Sequence, residues 1–300
     1  MFQAWRDSLQ RAERSFAYIH VLEPHAPYEP RAPYDDMFGP HEASERIFSG
    51  GKIEFENWAA YRDAVNAGDI VPAASAIESF RNLYTGEVAW VDSAFAGLVE
   101  ALKSGGSYDE TLLVFTADHG ENFHEHGTLG HPPNTCWEAQ IRIPLMFLFP
   151  SRWEIAPRRV EGPACLFDVT ATLSRAAAGR PLGRGADLSG ASAAGRVGPR
   201  VSITEGVNRF TARSGDLKVT VMTPPEAELR ISRIFDVVDD PAERHNLLDE
   251  KPSFASWFAA RAGRWRRWVA ANGKENRRSA QPVEADGRLR ERLRALGYLN

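Results

Sequence analysis

Cysteine is nearly absent from this chain: Cys136 and Cys165 are the only two in 300 residues. Neither lies in a CxxC pair, so no disulfide framework is available. They leave the redox compartment open, and their plain reading is two small buried apolar residues. Long apolar runs are missing too. None approaches the roughly 18–20 residues that cross a bilayer. The opening stretch, MFQAWRDSLQRAERS, is polar and lacks the apolar centre of a signal peptide. For a complete protein that would mean cytoplasmic; for a piece of a longer one it says nothing, and localisation stays open. Nor is there an excess of one charge, with 36 basic against 40 acidic residues and a formal charge of -4. General nucleic-acid binding needs a basic excess, and this balance argues against it. A small anionic substrate is compatible, because a local cluster of cations can hold an anion within a mildly acidic protein.

What is present suffices for a sizeable core: 43% of the residues are hydrophobic, enough for one large domain with or without a smaller one. Residues 3–14 read as a short charged helix. Phe16–Glu23 has strand composition and runs into the proline-rich PHAPYEPRAPYDD, which forbids regular structure. Residues 41–73 show no clear period. From Ala74 to Lys103 apolar residues recur at helical spacing until Ser104-Gly105-Gly106. Leu112–Thr116 and Ile141–Phe149 are continuous apolar runs, as strands buried on both faces would be. The alternation predicts an α/β fold with a mostly parallel sheet flanked by helices. Phe167–Gly179 reads as a helix and the Gly/Ala/Ser/Arg-rich 186–200 as a linker. Beyond it, short strands and a Trp-rich basic helix (Phe254–Ala271) predict a small α+β subdomain with a short antiparallel sheet. A last helix is expected from about Arg288 to Leu296. The domains are then 1–185, the linker 186–200, and 201–300.

Two polar motifs each follow an expected strand, where α/β sheets place their sites. In Ala117-Asp118-His119-Gly120-Glu121 a carboxylate and an imidazole can turn onto one divalent cation, and Gly120 permits a sharp bend. Such a donor pair suits Mg²⁺, Mn²⁺, Zn²⁺ or Ca²⁺. His119, His124, His126 and His131 lie within thirteen positions; the plain reading, a solvated loop, is kept for His124. In Glu23-Pro24-His25-Ala26-Pro27-Tyr28 the prolines hold His25, which can contact an anionic oxygen or protonate a leaving group, or simply pack on Tyr28.

FAYIHVLEPHAPYEP, YTGEVAWVDSAFAGLVEALKSGGSYDETLLVFTADHGENFHEHGTLGH and IRIPLMFLFP, in that order, resemble the sulfatases and the related phosphonate monoester hydrolases of the alkaline-phosphatase superfamily. ARSGDLKVT, IFDVVDDPAERHNLLDEKP and LRALGYL resemble the family's C-terminal subdomain. The resemblance implies a rear portion of the catalytic α/β domain, with Asp118 and His119 as ligands of a single divalent metal. Ca²⁺ is the first choice, with Mg²⁺ or Mn²⁺ as alternatives. It implies that His25 contacts the sulfate or phosphate group. His131 stands where the family usually has a lysine reaching that group. His20, Glu121, Glu125 and His126 also match family positions and are read as orienting the ligands and their loop. Asp92 and Tyr84 are expected to be structural.

The family's first strand, ending in paired aspartates, and its C-x-P-x-R motif or the serine version, source of the formylglycine nucleophile, have no match here; Cys136 and Cys165 lie in other contexts. The chain is therefore expected to carry no nucleophile, to bind metal weakly and to be inactive alone. The expected function is hydrolysis of sulfuric esters in a complete enzyme. Phosphodiester or phosphonate monoester hydrolysis is the nearest alternative. A non-catalytic half-enzyme or pseudo-enzyme subunit is the alternative of another class. Expected partners are a small anionic ester, with the missing half or a second copy completing the fold; nucleic acid and a membrane span are not expected. The Trp/Arg helix is read as packing its tryptophans on the small sheet with its arginines in solvent.

Overall fold

The structure, a computed structural model, describes residues 14–45, 47, 55–183, 185–190, 201–223 and 228–276. The expected helix at residues 3–14 (all but Arg14), the last helix and most of the 186–200 linker fall outside these. Helices α1 (Phe55–Ala67) and α2 (Ala74–Ser104) lead to strands β1 (Leu113–Thr116), β2 (Asn122–Phe123) and β3 (Leu129–Gly130). Then come α3 (Glu138–Ile141), β4 (Leu145–Leu148), α4 (Leu166–Ala178), strands β5 (Val201–Gly206), β6 (Arg209–Ser214), β7 (Leu217–Met222) and β8 (Arg230–Asp236), and α5 (Pro252–Asn276). No helix is long and apolar enough to cross a membrane among the described residues.

Two compact units divide the chain. The first lies within Met1–Ala117, Glu121–Gly130 and Pro144–Pro157; the second within Asp118–Gly120, His131–Ile143 and Arg158–Asn300. The first unit is organised on α2. Its Ile77, Phe80 and Leu83, at helical spacing, pack with Tyr28, Trp58, Val65, Phe123 and Leu129 into one core. Trp58 and Val65 come from α1, a helix that the polar flanks of residues 41–73 conceal in the sequence. The α2 helix stops where expected: Gly105 donates to Ala101 O at 3.1 Å, and Gly106 takes φ 68°, a left-handed turn that suits glycine. Strands β1 and β4 pair antiparallel, Leu113 opposite Leu148 and Thr116 opposite Leu145.

Two strand expectations come out differently. Phe16–Glu23 joins no ladder among the described residues, ends in a turn at Glu23, and leaves Phe16 72% and Tyr18 77% exposed. A strand is held by its neighbours' hydrogen bonds, and this segment has none there. The run at Leu113–Thr116, expected to be buried on both faces, is only half-buried. Each ladder among the described residues is antiparallel.

In the second unit β5–β6–β7–β8 form an antiparallel sheet in sequence order. Phe210, Ala212, Val219, Val221 and Ile234 cover one side with Phe258 and Ala262 of α5. Cys136 and Cys165 form no disulfide, and Cys136 is buried.

Candidate active site

The second unit holds the Asp118–His119–Gly120 turn and the segment that starts at His131. Asp118 Oδ1 accepts the His119 backbone N–H at 3.0 Å, which fixes the carboxylate over the turn. His119 Nδ1 lies 2.8 Å from the Gly120 carbonyl oxygen. A carbonyl can only accept, so Nδ1 carries a proton, and in the uncharged form of the ring the lone pair is on Nε2. That Nε2 edge is the one near the carboxylate, 3.8 Å from Asp118 Oδ1. The His131 ring stacks on His119 with centroids 4.0 Å apart and planes 28° apart. The structure thus brings Asp118, His119 and His131 together.

Gly120 has a different reason from the sharp bend expected of it. A Cβ there would collide with the Ala139 carbonyl oxygen, and the Gly120 N–H donates to Gln140 O at 2.6 Å. Close approach of α3 to the turn is what requires glycine.

The other sequence-derived residues lie in the first unit. His25 is half-buried; its backbone N–H donates to Leu22 O at 3.1 Å and its Nδ1 lies 2.6 Å from Ala26 O. Tyr28 lies three positions further along the chain. That tyrosine is 1% exposed and sits among Trp58, Phe80, Tyr84 and Phe123, with ring centroids 5.3–6.5 Å away. Burial, and then the Glu121 carboxylate, push the Tyr28 phenol well above its ordinary range. Glu125 takes Arg81 at 2.6 Å on Oε1 and the Phe123 N–H at 2.5 Å on Oε2, and so ties its loop to α2. His124 and His126 both adopt left-handed φ, 66° and 55°, in that loop, and His126 is exposed. His20 is exposed, with Tyr18 Oη 3.2 Å from its Nδ1.

Two residues that position His25's loop escaped the sequence reading. A Cβ on Gly86 would lie 2.5 Å from Tyr34 O, so the loop rests directly on α2 there. Beside it, Glu87 is buried and accepts the Glu29 N–H at 2.8 Å. The signal was a glycine and a carboxylate on the inward face of an amphipathic helix, where neither is expected.

A metal fits this chain's residues in part. Among the described residues no three His, Cys, Asp or Glu side chains gather as a full cation site. The Asp118 carboxylate and the Nε2 lone pair of His119 share one edge and would serve as two donors, and a hard cation takes about six.

The sulfatase family model matches residues 1–179. The chain belongs to the sulfatase family. It is 25% identical over 172 residues to the multifunctional alkaline phosphatase superfamily protein PehA of Trinickia caryophylli, covering 53% of this chain and 33% of that protein. It is 24% identical over 155 residues to an arylsulfatase of Clostridium perfringens, covering 48% and 30%. The fold matches that of the phosphonate monoester hydrolase of Agrobacterium radiobacter with a TM-score of 0.61 and 22% identity, over 91% of this chain and 59% of that one. This sulfatase-family chain is therefore α/β and alkaline-phosphatase-like, and it spans about a third of those two curated relatives.

Proposed function

We propose that Asp118, His119 and His131 are this chain's contribution to the site of a metal-dependent sulfuric-ester hydrolase. The observation that carries the reading is the geometry at His119: its Nδ1 lies 2.8 Å from Gly120 O and its Nε2 lies 3.8 Å from Asp118 Oδ1. A divalent cation bound there, Ca²⁺ first and Mg²⁺ or Mn²⁺ next, would supply positive charge to the ester's oxygens. The chain's own residues do the holding. Asp118 is set by the His119 N–H, His119 by Gly120, and the His131 ring is held against His119 as a hydrogen-bonding group for the anion. For His25 the role rests on the sequence resemblance: contact with the oxygens of the ester group.

The nucleophile and the paired aspartates, for which this sequence has no match, would come from a further polypeptide segment. The exposed Phe16–Leu22 segment, which joins no ladder among the described residues, supports such a partner, because exposed apolar chain is stabilised by being covered. On this reading the chain alone is a non-catalytic half-enzyme. Phosphonate monoester or phosphodiester hydrolysis is the second reading, favoured by the fold match to a phosphonate monoester hydrolase over 91% of the chain.

Calorimetric titration with Mn²⁺ tests the site. The wild-type chain is expected to bind weakly and the D118N/H119A variant not at all; equal heats from both would remove these residues from the metal. Rates on paired aryl sulfate, phosphate diester and phosphonate monoester then test the chemistry. The isolated chain is expected to turn over none, and Asp118-dependent turnover of any would overturn its incompleteness. In a completed enzyme, preference for a phosphorus ester would reject the sulfatase reading in favour of the second.

A further inference from the structure

We infer that a buried ionic triad, Glu138–Lys218–Glu243, positions the His119–His131 pair by holding α3 against both. The inference rests on the reading of those residues as the active site. All the parts lie in the second unit. Lys218, on β7, is 1% exposed, and its Nζ lies 3.1 Å from Glu138 Oε1 and 2.7 Å from Glu243 Oε1. Glu243 Oε2 accepts the Glu138 backbone N–H at 2.6 Å and so satisfies the first amide of α3. Glu243 itself sits at φ 53°, a left-handed conformation costly for any residue but glycine. Three charged side chains at one dry spot hold each other in a single geometry, since displacing one leaves the others buried without compensation. A surface ion pair would not do this.

From α3 two arms reach the histidines. One is the backbone: the Gln140 carbonyl accepts the Gly120 N–H at 2.6 Å, and Ala139 O fills the space where a Gly120 side chain would stand. Gly120 is next to His119. The other is the Gln140 side chain, whose amide donates to Pro132 O at 3.2 Å and whose oxygen accepts the Thr135 hydroxyl. Pro132 is next to His131. The four-residue helix is thus a strut, fixed at its start by the triad and gripping the neighbours of both stacked rings. Lys218 comes from the C-terminal sheet and Glu243 from the turn after it, so the small sheet helps to set the site geometry from behind α3. These are positioning residues.

The test is proton NMR on the full chain with isotope-labelled histidine, at one fixed pH and without metal. The readout is the nuclear Overhauser cross-peak between the His119 and His131 rings. Assignments come from H119Q and H131Q, and far-UV circular dichroism monitors the fold. K218M is expected to keep the sheet signature and lose the cross-peak. Q140A, which leaves the triad intact, is expected to move the His131 resonances and weaken the cross-peak between the stacked rings. A folded K218M with the wild-type cross-peak overturns the inference. If K218M does not fold, Q140A decides, and unmoved His131 resonances overturn it. Mn²⁺ titration of the wild-type sample separates the two ideas: failure to bind removes the metal reading, while the cross-peak comparison still judges the strut.

Discussion

Replacing Glu87 with glutamine isolates the energetic consequence of a carboxylate placed inside the first unit. Glu87 is 3% exposed. Its Oε1 accepts the Glu29 N–H at 2.8 Å, and its Oε2 has no hydrogen-bond partner among the described residues. Burial raises the carboxyl from 4.5 to about 8; the Glu29 amide opposes this, and the charges of Glu23 and Glu29 add to it. The folded state therefore holds the proton more tightly than the unfolded chain does. Its contribution is intact below 4.5 and is lost progressively as pH rises to about 8. At ~1.4 kcal/mol per tenfold change in the proton equilibrium, the full loss is about 5 kcal/mol, roughly 3 of it already present at neutral pH. Glutamine keeps the acceptor for Glu29 and cannot ionise. The assay is urea unfolding followed by tryptophan fluorescence, for both proteins, at intervals between these limits. The stability difference, E87Q minus wild type, is expected to climb with pH by up to about 1.4 kcal/mol per unit and then to level off. A difference that stays flat would refute the reasoning, because it would mean that the folded carboxyl titrates where the unfolded one does.

Three further outcomes follow from the same geometry. G86A should lose about 1–3 kcal/mol in the same unfolding assay, since its Cβ would stand 2.5 Å from Tyr34 O and 2.9 Å from the Pro30 side chain; wild-type stability would show that the loop does not rest on α2. Burial, and then the charges of Glu121 and Glu87, push Tyr84 up to about 12, and Tyr28 is raised as well. Ultraviolet absorbance titration of the folded chain should thus show delayed phenols, one fewer in Y28F; ionisation of every tyrosine in the ordinary range would contradict the packing. The exposed Phe16, Tyr18 and Ile19 should drive concentration-dependent self-association in sedimentation velocity, reduced by F16S/Y18S; a monomeric, cooperatively melting wild-type chain would refute this.

Local signals carried a good part of the molecule. The apolar period of residues 74–103 and the glycines after it define α2 to within one residue, because a helix and its stop are set by neighbours in sequence. The C-terminal strands and the Phe167–Gly179 helix were legible for the same reason, with Gly179 closing that helix at φ 74°. The Asp118-His119 pair was legible as a candidate from its residue types and its place after an apolar run, and His131 from the family resemblance. The helix at Phe55–Ala67 was missed because polar flanks dilute its few apolar residues, although Trp58, Tyr61 and Val65 keep helical spacing. Strand character at Phe16–Glu23 was read from composition, but a strand exists only where a neighbour pairs with it.

By itself the sequence determined the family, the α/β class and the residue types that can hold a cation. Only the tertiary structure decided how the site is held. The tautomer of His119 depends on a carbonyl one residue away, and its stacking on His131 on chain twelve positions further on. The need for glycine at position 120 comes from the carbonyl of Ala139, and the brace behind α3 from Lys218 and Glu243, 80 and 105 residues from Glu138. Hydrogen bonds and buried charges are short-range in space and indifferent to separation along the chain. No local pattern announces them until folding has brought their partners within reach.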